Sequence, residues 1–179
     1  MQLYVETGFT YLVLPNIIDL FRKAKYSNGV KPMKTCFLIG HRDAPVMIRE
    51  KLERAVAEAI TKYGMTAFVV GGYGAFDRMA AICLAEAKKG HPTLRLLLLL
   101  PYHPSERAIA LPDGFDGSFY PPGMEAVPRR LAIVRANAYM AKHCDLLIGY
   151  AVLQNSNPGR ILREVRPGCV VINLADGAD

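Results

Sequence analysis

Residues 67–77 read Ala-Phe-Val-Val-Gly-Gly-Tyr-Gly-Ala-Phe-Asp, and this stretch decides the class of fold. Its first four residues are apolar and end at a turn signal, which predicts a short strand over Ala67–Val70. The apolar spacing that follows predicts a helix over Phe76–Lys89. A strand that passes through a glycine-rich turn into a helix is the unit from which parallel α/β sheets are built.

The same alternation of short apolar runs and longer amphipathic runs continues on both sides of this unit. Strands are predicted over Cys36–Ile39, Leu94–Leu100, Leu146–Tyr150 and Cys169–Asn173, and helices over Val46–Tyr63, from Pro128 to about Lys142, and over Arg160–Val165. A Pro/Gly-rich loop over Pro101–Val127 has the length of a lid or a binding loop. We therefore expect an α/β fold, a Rossmann-like three-layer sandwich with a mostly parallel sheet of about five strands.

The 179 residues, of which 51% are hydrophobic, are enough for one ordinary domain with a core. We expect this domain to span residues 33–179. Residues 1–32 form an accessory segment, in which Ile17, Ile18, Leu20 and Phe21 lie at helical spacing and Ser27-Asn28-Gly29 is a stop signal. The sequence leaves open whether this segment is an accessory helix, an interface element or an upstream start.

Composition narrows the class of protein further. The net charge of +6 suits an anionic ligand, but no run of Lys and Arg marks a nucleic-acid track. The four cysteines are spaced far apart beside apolar neighbours, which predicts buried free thiols in a reducing compartment. We find no secretory signal and no apolar run long enough for a bilayer, so we expect a cytoplasmic protein without a membrane partner. No residue spacing indicates a metal site, a bound cofactor or a covalent nucleophile.

Chemistry-bearing residues follow four of the predicted strands. In open parallel sheets the ligand crevice lies outside the carboxyl ends of the strands, so these residues are expected at one edge. The four strand ends are Gly40-His41-Arg42, Gly71-Gly72-Tyr73-Gly74 with Asp77, Pro101-Tyr102-His103, and Gly149-Tyr150. We take Gly40, His41, Arg42, Gly71, Gly72, Tyr73, Gly74, Asp77 and His103 as candidate ligand-binding residues.

Each of these residue types suits a phosphate-bearing ligand in a different way. Glycines let the backbone turn sharply and approach a ligand, and the helix that follows offers unpaired N–H groups to an anion. Arg42 can hold a phosphate with a bidentate fork, and His41 can donate to it or transfer a proton. Asp77 would repel a phosphate, so we expect it to complement the helix start, fix the loop amides or accept from a ribose hydroxyl.

From Met33 to about Leu174 the chain resembles the SLOG superfamily, in particular its YpsA-like branch. The matching residues are Gly40-His41-Arg42, Gly71-Gly72-Tyr73-Gly74 with Asp77, and Arg129, Arg130, Arg135 and Asn137 ahead of Asp145-Leu146-Leu147-Ile148. The resemblance implies a Rossmann-like fold with a nucleotide site. The superfamily includes the LOG-type phosphoribohydrolases, the DNA-binding protein DprA and proposed sensors of nucleotide or ADP-ribose-type ligands.

By comparison with the LOG enzymes, Arg135 corresponds to a catalytic arginine and is a further candidate for ligand binding. Their glutamate motif has no full match here, because residues 155–164 lack the paired glycines and the threonine, and Glu164 is the candidate that remains. The sequence thus leaves open whether the protein is an enzyme.

We weigh three functions. The first is a binding or sensing module for a nucleotide or a nucleotide-derived ligand. The second is a nucleoside 5′-monophosphate phosphoribohydrolase, which needs a carboxylate to assist cleavage of the N-glycosidic bond. The third is binding of single-stranded DNA, for which the scattered basic residues give little support. The resemblance to the dimeric LOG enzymes and the apolar segment Met1–Phe21 also predict a homo-oligomer.

Overall fold

The computed structural model describes residues 33–106 and 110–176, together with two short strands near the amino terminus. These strands are β1 (Tyr4–Glu6) and β2 (Phe9–Tyr11), which pair antiparallel with Tyr4 opposite Tyr11. Sequence patterning did not predict them. The helix predicted around Ile17–Phe21 lies outside the described residues, as do residues 107–109 and 177–179.

From Thr35 onward, strands and helices alternate as predicted. The strands are β3 (Thr35–Gly40), β4 (Ala67–Val70), β5 (Arg95–Leu99), β6 (Gly117–Phe119), β7 (Leu146–Tyr150) and β8 (Val170–Asn173). The helices are α1 (Arg49–Thr61), α2 (Ala75–Gly90), α3 (Ala132–His143) and α4 (Asn157–Arg163). Single 3₁₀ turns occupy Val46–Ile48, Met124–Ala126 and Arg129–Leu131.

The six strands from β3 to β8 form one parallel sheet in the order β6-β5-β4-β3-β7-β8. The expected α/β sandwich is therefore confirmed. The sheet has one strand more than expected, because Gly117–Phe119 pairs with Leu97–Leu99 inside the segment predicted to be a loop. A run of three residues is too short to give a periodic signal in the sequence.

Alternate residues of the strands fill two separate cores. Cys36 and Leu38 of β3 pack with α1 and α2 on one face of the sheet, whereas Phe37 and Ile39 pack with α3 and α4 on the other. Successive side chains of a strand point to opposite faces, so a strand that is apolar throughout is buried between two helical layers. This arrangement is the three-layer sandwich that the continuous apolar runs predicted.

Asp145 holds together the edge of the sheet at which the strands begin. Its backbone N–H donates to the Thr35 carbonyl and its Oδ2 accepts from the Thr35 N–H, each over 2.8 Å. Arg166 forms an ion pair with the same carboxylate and donates through Nε to the carbonyl oxygen of Cys144. The start of β3, the start of β7 and the segment before β8 are thereby joined.

The four cysteines are free thiols, as expected, and three of them are buried, whereas Cys169 is partly exposed. Although 25 residues separate Cys144 from Cys169 in the chain, their sulfur atoms lie 3.6 Å apart at this same edge. Sequence spacing alone gave no sign of this contact.

Among the helices of the described residues, none has both the length and the apolar character that crossing a bilayer requires.

We predict that Asp145→Ala lowers the free energy of unfolding by about 1–3 kcal/mol, because the Thr35 N–H and the Arg166 guanidinium lose their acceptor. Urea denaturation followed by circular dichroism measures the change. Asp113→Ala is the control, since Asp113 is exposed and its carboxylate has no hydrogen-bond partner among the described residues. Equal stability of the two variants would contradict the role given to Asp145.

Candidate functional site

The order of the strands creates a crevice at the carboxyl ends of β3 and β7. The chain leaves β3 through α1 to reach β4 on one side, and it returns later to place β7 on the other side. Such a reversal of strand order is where open α/β sheets bind ligands. A cavity of about 380 Å³ lies at this position, between the loops after β3, β4 and β7 and one face of α3.

Seven of the predicted binding residues line this cavity. They are Gly40, His41, Arg42, Gly71, Tyr73, Gly74 and Asp77. Gly72 belongs to the same turn but lines a second cavity on its other side. The expectation that residues after neighbouring strands meet at one edge is therefore confirmed for the loops after β3 and β4.

At one position of the turn, glycine is required by close packing and not by a left-handed backbone. Positive φ angles occur at Gly64, Gly114, Gly123 and Gly168, and at no glycine of the turn 71–74. Instead, a Cβ atom on Gly74 would lie 2.9 Å from the Cα atom of Arg42, too close for any side chain. The next residue, Ala75, donates its N–H to the Arg42 carbonyl over 2.7 Å. Glycine at position 74 therefore lets two loops of the protein pack together.

Gly40, at the end of β3, is also required by close packing. A Cβ atom there would lie 2.3 Å from the ring of Phe76, which is fully buried in the first turn of α2. The ring thus covers the end of β3 and fixes the direction in which α2 leaves the sheet. Both glycines serve close packing of protein against protein at the base of the cavity.

The carboxylate of Asp77 occupies the inner side of the turn. Its Oδ2 accepts from the Tyr73 N–H over 2.9 Å and lies 2.7 Å from the position that a Cβ of Gly71 would take. Burial raises the pKa of Asp77 to about 6, against the opposing effects of the Tyr73 N–H and the Arg78 charge. Asp77 therefore fixes a loop amide, which is one of the three roles expected of it.

These contacts determine which backbone N–H groups of the turn remain free to donate to a ligand. The N–H groups of Tyr73 and Ala75 are engaged by Asp77 and Arg42. Those of Gly72 and Gly74 have no acceptor among the described residues. An anion can therefore bind at Gly72 or Gly74, but on the inner side of the turn it would meet a carboxylate.

His41 joins the loop after β3 to the loop after β7. Its Nε2 accepts from the Val152 N–H over 3.1 Å, and its backbone N–H donates to the Tyr150 carbonyl over 3.1 Å. An accepting Nε2 places the hydrogen of the neutral ring on Nδ1. The ring thus fixes a backbone position and keeps one N–H that has no acceptor among the described residues.

Residues that were not among the predicted binding residues also line the cavity, and they include Asn137, Ser156, Asn157 and Pro158. Asn137 lies one helical turn after Ile133, another lining residue, and next to the buried Ala136, so helical periodicity was the signal for it. The Oδ1 atom of Asn157 is buried and has no hydrogen-bond partner among the described residues. Buried acceptors of this kind are rare and costly, so Asn157 is added to the candidate site residues.

Three candidates lie away from this cavity. His103 contacts Ser105 through Nδ1 over 2.6 Å and packs edge-on against Tyr120. Arg135 is exposed on α3 and does not line the cavity, although its neighbours Ala136 and Asn137 do. Glu164 follows the last residue of α4, about 10 Å along the helix from Asn157. Arg135 and Glu164 are therefore not brought together at the cavity.

Within the described residues, no group of three or more His, Cys, Asp or Glu side chains is placed to hold a metal ion. A scan of protein-family models finds none that matches the chain, and a search of curated proteins finds no match either. The family resemblance of the motifs stays a prediction.

We predict that two alanine substitutions in the turn differ in their effect on stability. Gly74→Ala forces a Cβ against the Arg42 backbone and should lower the free energy of unfolding by about 1–3 kcal/mol. Gly72→Ala is the matched control, because its Cβ would meet only the Leu98 side chain at 3.5 Å, an ordinary contact. Chemical denaturation of both variants measures the difference. A Gly74→Ala protein as stable as Gly72→Ala would show that the loops are not held in this way.

Asp77 should give the protein a characteristic pH dependence. Its pKa in the folded state, about 6, exceeds the ordinary value of 3.8, so the folded state binds the proton more tightly. The stability that this proton contributes is present at low pH and is lost as the pH rises through about 6. In Asp77→Asn the amide oxygen still accepts from Tyr73 and nothing titrates.

The unfolding free energy of Asp77→Asn relative to wild type should therefore rise by roughly 2 kcal/mol between about pH 4 and about pH 7. Denaturant titrations across this pH range measure it. Asp43→Asn, which removes an exposed carboxylate from the same cavity, controls for the loss of negative charge. A difference that does not change with pH would exclude a buried, destabilised carboxylate at position 77.

Proposed function

We propose that this protein is a binding or sensing module for a phosphate-bearing nucleotide or a nucleotide-derived ligand of the ADP-ribose type. The observation that carries the proposal is the position of Arg42. It lines the cavity at the strand-order reversal, beside a glycine-rich turn, and its guanidinium has no ion-pair partner among the described residues. A guanidinium presents a planar fork of N–H donors that matches a phosphate.

The remainder of the cavity suits the uncharged part of such a ligand. Asp77 and Asn157 offer oxygen acceptors to hydroxyl or amino groups, and the Nδ1–H of His41 is a donor. Apolar walls come from Leu38, Ile39 and Leu99. The volume of about 380 Å³ falls within the range of small-molecule sites, and a few polar groups in an apolar pocket are typical of them.

The positions of the candidate catalytic residues favour binding over hydrolysis. Cleavage of an N-glycosidic bond needs a carboxylate beside the sugar, to activate water or to stabilise the cationic transition state. Glu164 and Arg135 do not line the cavity. Asp77 and Asp43 do line it, but one oxygen of Asp77 is held by the Tyr73 N–H as part of the turn, and Asp43 is exposed to solvent. We therefore propose a module that binds its ligand without cleaving it.

A thermal-shift panel of AMP, ADP, ATP, ADP-ribose, NAD and cyclic nucleotides tests this proposal, with adenosine as the unphosphorylated control. A ligand present at a hundred times its Kd stabilises the folded state by about 2.7 kcal/mol and raises Tm. We expect at least one phosphate-bearing compound to raise Tm more than adenosine does. Arg42→Gln should reduce that shift, whereas Arg54→Gln, an exposed arginine on α1, should retain it.

Two results would contradict the proposal. The first is a panel in which no compound raises Tm, or in which Arg42→Gln and Arg54→Gln behave alike. The second is release of free base and ribose phosphate from a nucleotide by the purified protein, which would identify a hydrolase instead. Self-association and a cytoplasmic location stay predictions of the sequence.

A further inference from the structure

We infer that the Gly71–Gly74 turn divides one ligand site into two compartments, with the anionic end of the ligand bound on the outer side at Arg42 and Arg78. The hydroxylated, uncharged part then occupies the inner cavity described above. The ligand class is a sugar or nucleoside that carries a phosphate or pyrophosphate group. The inference rests on the proposed function for the nature of the inner part.

The outer compartment is a second cavity of about 330 Å³ on the far side of the turn. It shares Arg42, Tyr73 and Leu99 with the inner cavity, and Gly72, Arg78, Leu98 and Leu100 complete its lining. Gly71 and Gly74 line only the inner cavity, and Gly72 lines only the outer one. The turn is therefore the wall between the two compartments, and Arg42 belongs to both.

The charges of the two compartments differ. The outer cavity is lined by two arginines and no acidic residue. The inner cavity has Arg42 together with the carboxylates of Asp43 and Asp77. A phosphate dianion therefore gains attraction from two cations on the outer side, whereas on the inner side it meets one cation and two acidic side chains.

Neither outer arginine is neutralised within the described residues. Arg42 and Arg78 form no ion pair there, whereas Arg49, Arg95, Arg129 and Arg166 each lie beside a carboxylate. Two guanidinium forks can share the oxygens of one phosphate or of a pyrophosphate. Arg78 was not singled out from the sequence, because an arginine in the first turns of a helix has the pattern of a solvated side chain.

Gly72 is the glycine of the turn that is open toward the outer side. Protein atoms lie within 3 Å of where a Cβ of Gly71 or Gly74 would stand, since Asp77 Oδ2 is at 2.7 Å and Arg42 Cα at 2.9 Å. At Gly72 the nearest atom is Leu98 Cδ1 at 3.5 Å, and the residue is exposed. Its N–H has no acceptor among the described residues. A phosphate oxygen can therefore reach Gly72 from the side on which the two arginines lie.

Inorganic pyrophosphate is the probe for this compartment, titrated by calorimetry into the full-length chain. Replacement of one of two charge-assisted phosphate contacts should weaken binding, so we expect Arg78→Gln to raise the Kd about tenfold. Gly72→Glu, which puts a carboxylate beside both arginines, should abolish binding. Arg54→Gln removes one exposed arginine from another helix and should leave the Kd unchanged. Circular dichroism and Tm without pyrophosphate verify that each variant is folded.

The outcomes separate this inference from the proposed function. If pyrophosphate does not bind, or if Arg78→Gln binds it as tightly as Arg54→Gln does, the outer compartment is overturned. If a nucleotide raises Tm equally in wild type and Arg78→Gln but not in Arg42→Gln, the proposed function stands and the division of the site fails. If pyrophosphate binds through Arg78 while no nucleotide binds, the anion compartment stands and the proposed function fails.

Discussion

The contact between the loops after β3 and β4 is the constraint on which the candidate ligand edge of this protein depends. Ala75 donates its N–H to the Arg42 carbonyl, and the missing side chain of Gly74 lets the two backbones approach closely. The position of Arg42 beside the turn follows from this contact. The start of α2 and the position of the Phe76 ring over Gly40 follow from the same contact. A larger residue at position 74 would separate the loops and, with them, the two cavities.

A second constraint is electrostatic. The carboxylate of Asp77 holds the turn in shape by accepting from the Tyr73 N–H, and it places negative charge on the inner side of the turn. Arg78 follows directly in the chain and lines the outer side. Adjacent residues of one helix thus give opposite charge to the two sides of a thin wall. A ligand with a hydroxylated end and an anionic end matches this polarity in only one orientation.

Much of the fold could be predicted from the sequence, because buried strands are apolar and turn residues bound them. β4 and β7 have the predicted bounds, whereas β6 escaped prediction because three residues give no periodicity. α4 begins three residues before its predicted start, since Ser156 caps it and Pro158 lies in its first turn. Glycines mark the candidate ligand edge, but the close packing that requires glycine at positions 40 and 74 is not visible in the sequence pattern. The positions of Arg78 and Asn157 at the cavities could not be predicted, because they depend on which loops and helix faces pack together in the fold.

The parallel sheet also separates residues that stabilise the fold at one end of its strands from residues that line the cavities at the other end. Asp145 and Arg166 join segments where the strands begin, and Arg42 and the glycine turn lie where they end. Six residues of β3 span about 20 Å between these edges, a distance at which the energetic effects of substitutions add independently. Positions in these loops other than Gly40, Gly74 and Asp77 can therefore diverge in sequence, and the protein can acquire a new specificity, without loss of the contacts that keep it folded.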